Sequence, residues 1–404
     1  MADTTVTAHW RNQEATTEFS FPHAQLAYRN RRQGSPRSNE LKRRSAKVSF
    51  IENKIPDFQN IQAMLESCAE VNHWANRGPL YTRLAEQFSK HLNVKKDISV
   101  IPCANCGIGL EALARLLSLH QGRKLRWVAP SFCFSNIGRG YFSDVTFIDC
   151  DQNGALSLNE LSQLDPADYD GVILVNPFGI IKNFDKHLNF ARKQNKRLII
   201  DNACGIDTQV PDWPWQSFSL HQTKPYGLGE GGLVLTPKWA AQELYSLIDY
   251  GSTPDQPESW LANGKLSDIS CAFLLDRLEQ SASWLPRYHE QMARITVLAE
   301  QCGLISLRQT MDGPPTTSLP FLSEHCIQSE LIEMSKNICF SKYYRPQQPT
   351  PNAQNIWARI INIPSHPDMH ALSDEKITSE FRNIQRAARM KDRQSSRRLA
   401  RLCD

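Results

Sequence analysis

Short apolar runs alternate with helical segments between residues 98 and 201, and this alternation restricts the fold more than any other feature. The clearest runs are Ile98–Pro102, Val145–Asp149, Gly171–Val175 and Arg197–Ile200, and the segments between them have apolar residues at helical spacing. Continuous β-branched runs separated by helices are typical of a largely parallel sheet that helices cover on both faces. We therefore predict an α/β fold in which ligands bind beyond the carboxyl ends of the strands.

Composition divides the chain of 404 residues into four segments. Residues 1–46 are rich in arginine and lysine and are predicted to be a poorly structured basic arm. Residues 47–300 are predicted to form a large domain, residues 301–380 a small α+β domain, and residues 381–404 a basic helix or tail. The excess positive charge, a net +4, lies at the two ends, so we expect no nucleic-acid partner.

Several classes of protein are not expected from the sequence. No apolar run reaches the roughly 18 residues that a membrane helix needs, and the N-terminus lacks the pattern of a secretory signal. The eleven cysteines have no framework spacing, so we expect reduced thiols and a cytoplasmic protein. Cys103 and Cys106 have the spacing of a redox or zinc motif, but no second pair follows, which favours two buried residues at a helix start.

A stretch around Lys224 indicates a possible chemistry. Hydroxyls at Ser219 and Thr223 precede this lysine, and glycines at 227, 229, 231 and 232 follow it. A lysine on such a turn can form a Schiff base with a carbonyl, and hydroxyls beside bare backbone suit a phosphate. Pyridoxal phosphate requires both. Lysine and glycine alone are more typical of a solvated surface turn, so this interpretation depends on the rest of the chain.

Two other segments could complete a cofactor site. Asp201 directly follows the run Arg197–Ile200, where a ligand-binding carboxylate, a helix N-cap or a surface carboxylate can occur. Cys106, Gly107 and Ile108 form a turn between a predicted strand and a predicted helix. A helix N-terminus binds phosphate readily, although glycines also begin helices for steric reasons.

Taken together, these motifs resemble those of the DegT/DnrJ/StrS family of pyridoxal-phosphate-dependent sugar aminotransferases. The resemblance extends from about Phe58 to Ile377. It rests on Ser-x-His-x-Thr-Lys and Gly-Glu-Gly-Gly within residues 219–232, on Pro130–Phe134, on Asp201, and on Asn-Gly-Lys-Leu-Ser at residues 263–267. It implies the fold of aspartate aminotransferase, with a large cofactor domain and a small C-terminal domain, and a homodimer whose active sites are shared between the subunits.

The resemblance also implies a role for each matching residue. Lys224 would carry pyridoxal 5'-phosphate as a Schiff base, and Asp201 would pair with the pyridine nitrogen. The other implied cofactor contacts are Phe134 on the ring face, Ser219 with the turn of Cys106, Gly107 and Ile108 at the phosphate, Cys204 near the ring oxygen, and Asn263 at the phosphate of the neighbouring subunit.

Three positions depart from the family pattern. Cys106-Gly107 stands where Gly-Thr or Gly-Ser is usual, Cys204 where glutamine or histidine is usual, and Lys265 where arginine is usual. The first change removes a hydroxyl donor, and because a neutral hydrogen bond is worth about 1 kcal/mol, we expect weaker phosphate binding but not its loss. Lys265 offers a point charge in place of a planar fork.

The activity that the resemblance implies is transfer of an amino group from glutamate to a nucleotide-activated keto-sugar, in amino-sugar or polysaccharide biosynthesis. Lysine accepts a proton only when uncharged, so we expect the pKa of Lys224 to be depressed. Dehydratases of the same family have histidine at this position, and Lys224 argues against that branch. The alternative is a catalytically degenerate cofactor-binding regulator or scaffold, which Cys204, the altered phosphate turn and the basic ends favour.

The sequence does not assign the sugar, its reacting carbon or the nucleotide. Sugar contacts in this family lie on variable loops. The unassigned candidates are His187, Tyr343, Tyr344 and Arg345.

Overall fold

The fold is organised around a seven-stranded sheet. The structure is a computed structural model that describes residues 47–250 and 262–403, apart from residues 182 and 311. Side chains are described as far as residue 392. The basic arm predicted for residues 1–46 lies outside the described residues. The strands in chain order are β1 (Ile98–Cys103), β2 (Trp127–Pro130), β3 (Thr146–Ile148), β4 (Gly171–Val175), β5 (Arg197–Asp201), β6 (Gln216–Ser219) and β7 (Gly232–Pro237).

This sheet is largely parallel, as predicted. Its strand order is β1-β7-β6-β5-β4-β2-β3, and β7 runs antiparallel to both of its neighbours. The other neighbouring pairs are parallel. The carboxyl ends of β2, β5 and β6 therefore meet at one edge, and the loops that follow them carry Phe134, Cys204 and Lys224.

Helices cover the sheet on both faces because its strands are apolar on both faces. In β4, Ile173 and Val175 belong to one core cluster, whereas Val172 and Leu174 belong to another. The helices of this part of the chain are α1 (Phe58–Glu70), α2 (Pro79–His91), α3 (Cys106–Gln121), α4 (Leu158–Gln163), α5 (Asp185–Lys193), α6 (Ala241–Ile248), α7 (Asp268–Glu279) and α8 (Ser281–Gln301).

A second, smaller sheet follows in the C-terminal part. Its antiparallel strands, in the order β10-β9-β8, are β8 (Ile305–Ser306), β9 (Ser318–Leu322) and β10 (Ile360–Pro364). A separate hydrophobic core joins Phe321 of β9 to Met292 of α8 and to Phe381. The remaining helices are α9 (Ser329–Glu333), α10 (Pro351–Arg359) and α11 (Asp374–Cys403), with short 3-10 helices at Gly140–Phe142, Pro177–Gly179, Lys238–Ala240 and Pro367–Ala371. The division at residues 300/301 and 380/381 stays a prediction.

Three features of the described residues bear on function. None of their helices combines the length and apolar content needed to cross a membrane. They contain no cluster of three or more potential metal-ligating side chains. The ten cysteines whose side chains are described are all free.

Candidate active site

Lys224 lies on the loop that joins β6 to β7. The two strands pair with Ser219 opposite Gly232, so the loop begins and ends at the sheet edge. Inside the loop, the Leu220 N–H donates to Gly231 O at 2.9 Å and the Lys224 N–H to His221 O at 2.8 Å. These bonds hold the backbone of Lys224 within a compact turn and do not leave it on a mobile surface arm.

Glycine at position 227 is required by the shape of this turn. A Cβ at Gly227 would overlap the carbonyl oxygens of Leu220 and His221, because the backbone folds back on itself there. Gly229 has a φ of +80°, which a side chain would disfavour. The glycines that predicted a special turn in the sequence therefore have a steric role in presenting Lys224.

The first turn of α3 lies directly against the start of β7. A Cβ on Gly232 would lie 2.5 Å from the carbonyl carbon of Asn105, and Ser217 Oγ donates to Cys106 O at 2.8 Å. Asn105 caps the helix by accepting from the Ile108 N–H at 2.9 Å. The backbone N–H groups of Cys106 and Gly107 also belong to this first turn, where helical N–H groups lack intrahelical acceptors.

Asp201 ends β5 and is almost completely buried, at 4% exposure. Its Oδ1 accepts from the Ala203 N–H at 3.2 Å and from the Cys106 thiol at 3.7 Å. Burial raises the pKa of Asp201, and the same effect raises that of Cys106 well above its ordinary value. A buried carboxylate with these weak partners is stabilised by a nearby cation.

The Lys224 side chain contacts Cys204, which lies on the loop after β5. Its Nζ donates to Cys204 Sγ at 3.1 Å. Burial disfavours the charged amine, but Cys204, Cys106 and Asp201 together outweigh that effect and raise the pKa of Lys224. The expected depression of this pKa is therefore wrong for the protein by itself, because the sulfur of Cys204 that accepts from Nζ and the carboxylate of Asp201 favour the ammonium form.

The other predicted cofactor residues lie at the same edge. Ser219 is buried, and its Oγ accepts from the His221 N–H at 3.3 Å. A narrow cavity has Ser219, Cys204 and Lys224 among its lining residues. Phe134, by contrast, is 56% exposed and has its ring 6.4 Å from that of Tyr344.

Asn263 lies next to the first turn of α3 in its own chain. Its neighbour Gly264 accepts from the Ala104 N–H at 2.7 Å and packs against Ile108. The Asn263 side chain is exposed, and Lys265 pairs with Asp249. A contact of Asn263 with a second subunit stays a prediction.

Sequence reasoning missed Lys54 and gave Tyr344 only as an unassigned candidate for a sugar contact. Tyr344, unassigned above, stacks on Phe178 with ring centroids 4.8 Å apart, and burial together with Cys204 raises its pKa well above the ordinary value. Lys54 binds backbone carbonyls of the Lys224 loop. Each lies more than a hundred residues from its partner in the loops, and no local pattern could have indicated either contact.

The residues at this edge fit pyridoxal phosphate. Asp201 is a buried acceptor for a protonated ring nitrogen, and Lys224 offers an amine beside it. The first turn of α3 and the Ser219 hydroxyl form a donor set for a phosphate. Cys106 joins two of these parts, because its thiol touches Asp201 while its backbone begins the helix.

Known proteins resemble this chain in sequence. The model of the DegT/DnrJ/EryC1/StrS aminotransferase family matches residues 57–382. Protein Rv3402c of Mycobacterium tuberculosis is 27% identical over 372 residues, which cover 80% of this chain and 86% of that protein.

Solved structures share the fold. The crystal structure of DesI in the presence of its TDP-sugar product has a TM-score of 0.72 and 18% identity, covering 87% of this chain and 96% of DesI. Helicobacter pylori PseC, an aminotransferase involved in the biosynthesis of pseudoaminic acid, has a TM-score of 0.71 and 15% identity, covering 85% of this chain and 100% of PseC. These likenesses confirm the predicted fold.

Proposed function

The chain belongs to the DegT/DnrJ/EryC1/StrS aminotransferase family, a family of pyridoxal-phosphate-dependent sugar aminotransferases, and on that basis we propose that it is an active member. It would transfer an amino group from glutamate to a nucleotide-activated keto-sugar, as a cytoplasmic homodimer in amino-sugar or polysaccharide biosynthesis. Family membership supports the aminotransferase chemistry. The similarity to DesI, whose crystal structure was solved in the presence of its TDP-sugar product, supports a nucleotide sugar as the substrate class.

One observation carries the proposal above all. Lys224 lies on the loop after β6, the buried Asp201 ends the neighbouring strand β5, and the charge of Asp201 raises the pKa of Lys224. Pyridoxal phosphate, when bound, supplies an electron sink that makes the α-proton of an amino acid acidic. A lysine and a carboxylate are the two side chains that this chemistry asks of a protein.

Each residue then has a defined task. Asp201 Oδ1 would hold a proton at the ring nitrogen, and its burial strengthens that attraction because the surroundings are poorly polarisable. Lys224 Nζ would hold the cofactor and then move the donor's α-proton. Nζ can accept a proton only in its neutral form, which the contact with Cys204 disfavours.

The test is to locate the cofactor and then supply the donor. The purified protein is mixed with pyridoxal phosphate, treated with borohydride and digested, and the labelled peptide is identified by mass spectrometry. We expect the label on Lys224, its absence from Lys224→Ala, and its retention in Lys196→Ala, a control on the opposite end of β5. Glutamate should change the absorbance of the bound cofactor and release 2-oxoglutarate, and a label on any other lysine would overturn the assignment.

A second candidate is a cofactor-binding protein that catalyses nothing. The specific observation in its favour is the raised pKa of Lys224, since a charged amine is a poor base. Under this alternative Lys224 would still be labelled, but glutamate would leave the bound cofactor unchanged.

A further inference from the structure

The Lys224 loop is held from outside by the side chain of Lys54. This lysine precedes α1, and its Nζ donates to the carbonyl oxygens of Gln222 at 2.8 Å, Gly227 at 2.6 Å and Lys224 itself. An ammonium group has three N–H donors, and here each one has a backbone acceptor in the same turn. Lys54 therefore joins three backbone carbonyls of the Lys224 loop through a single ammonium group.

Two other carbonyls of the loop are bound in a similar way. Arg277 Nε donates to Pro225 O at 2.8 Å, and Thr317 Oγ1 donates to Thr223 O at 2.5 Å. Five carbonyls between residues 222 and 227 thus accept hydrogen bonds from side chains of distant parts of the chain. These side-chain bonds add to the turn's own backbone hydrogen bonds and favour one conformation of the loop.

A buried charged network orients Lys54 in turn. Arg277 pairs with Glu52 at 2.7 Å, both side chains being less than 10% exposed, and Tyr288 donates to the same Glu52 oxygen at 2.8 Å. Glu52 lies two residues before Lys54. The segment that delivers Lys54 is therefore fixed two residues before the contact.

We propose that Lys54 is a positioning residue for Lys224, which in its ammonium form holds the loop so that the Lys224 amine faces Asp201 and Cys204. The inference deepens the proposed function, because it assigns to Lys54 the control of cofactor attachment at Lys224. Lys54 itself does not touch the reacting atoms. It acts through the backbone of the loop.

The Lys54 amine changes its protonation state near neutral pH. Burial and, to a lesser extent, Arg277 lower the pKa of Lys54 to about 7. A neutral amine has only two N–H donors, so loss of the proton leaves at least one of the three carbonyls without a bond from Lys54. Because the ammonium predominates below the pKa, positioning is complete at low pH and weakens as the pH rises through about 7. The charged and titratable groups around Lys54 are Glu52, Arg277, Lys224, Tyr288, His366 and Asp368.

The experiment compares Lys54→Met with a matched control, Lys196→Met. Lys196 also donates to two backbone carbonyls, those of Pro166 and Tyr169, but at the other end of β5. The affinity for pyridoxal phosphate is measured by absorbance from about pH 6 to about pH 9, a range that spans ordinary histidine and terminal-amine titrations but not that of a free lysine. Taking the ratio of wild type to variant at each pH removes the cofactor's own titration.

We expect Lys54→Met to lose affinity by about tenfold or more at about pH 6, since bonds from a charged donor are the stronger ones. The ratio should fall towards a few-fold above pH 7. Lys54→Arg keeps its charge at every pH, so its profile should lose the inflection near neutrality. Lys196→Met should match the wild type throughout, and Lys54→Arg also serves as the folded variant if Lys54→Met does not fold.

A second readout needs no cofactor. Hydrogen exchange of peptides covering residues 220–231 should be faster in Lys54→Met than in the wild type, with exchange elsewhere unchanged. If wild-type protein fails to attach pyridoxal phosphate at Lys224, the proposed function fails while the exchange result still tests the role of Lys54. Unchanged exchange in this segment, or an affinity ratio that is the same at every pH, would overturn the inference.

Discussion

Arg277→Met should destabilise the protein severely, because it leaves a buried carboxylate without its cation. The guanidinium is 8% exposed and its partner Glu52 7% exposed, with 2.7 Å between the charged atoms. Removing one member of such a pair costs about 3–5 kcal/mol, since the remaining charge has already lost its water. The Tyr288 hydroxyl still donates to Glu52 after the change, which favours the lower half of that range.

The chain offers a matched control in Arg83→Met. Arg83 pairs with Glu279 at 2.5 Å, but the two side chains are 45% and 30% exposed. Solvated pairs of this kind contribute about 0–1 kcal/mol. The same substitution at two arginines therefore separates the cost of a buried unpaired charge from the general effect of replacing arginine by methionine.

Urea unfolding followed by tryptophan fluorescence measures the difference. Trp284 is a suitable reporter, because its ring lies 4.1 Å from the Arg277 guanidinium carbon and donates to Arg277 O. With a slope of about 3 kcal/mol per molar urea, Arg277→Met should lower the unfolding midpoint by roughly 1 M or more. Adding Glu52→Gln should recover part of the loss, since no charge is then left unpaired. Equal midpoints for Arg277→Met and Arg83→Met would refute the reasoning.

Three further outcomes are expected. Asp201→Asn should raise the barrier of the single-turnover reaction with glutamate by several kcal/mol, and each ~1.4 kcal/mol slows the reaction tenfold. A variant that keeps more than a tenth of wild-type turnover would show that Asp201 does not have this role. Cys204→Ala should lower the pKa of Lys224, which the thiol raises, so cofactor attachment should reach its half-maximum at lower pH; an unshifted profile would contradict this. Asn263→Asp and Lys224→Ala should each be inactive alone, but after their subunits are exchanged the mixed dimers should regain up to about half the wild-type activity if the sites are shared. Mixed dimers that are confirmed by mass but show no activity would show that the sites are not shared.

Sequence patterns predicted the sheet because burial on both faces leaves a strong local signal. The run Gly171–Val175 is predicted and observed with the same bounds. Strand β6 gave no such signal, since Gln216, Ser217 and Ser219 are polar, although all three are buried. Their burial is possible only where tertiary partners bind them, as when Ser217 donates to Cys106 O.

The order of motifs along the chain, by itself, determined the family and hence the fold, and it predicted the cofactor class and a role for Lys224. A lysine after hydroxyls and before glycines, a strand-end carboxylate and a glycine turn at a helix start are all local patterns that can be recognised in a sequence. Only the tertiary structure decided the electrostatic state of these groups. Cys204 and Asp201 favour the ammonium form of Lys224, and Lys54 reaches the loop from 170 residues away in sequence. The physical reason is that a pKa depends on burial and on charges a few ångströms away, and these depend on packing between segments that are distant along the chain.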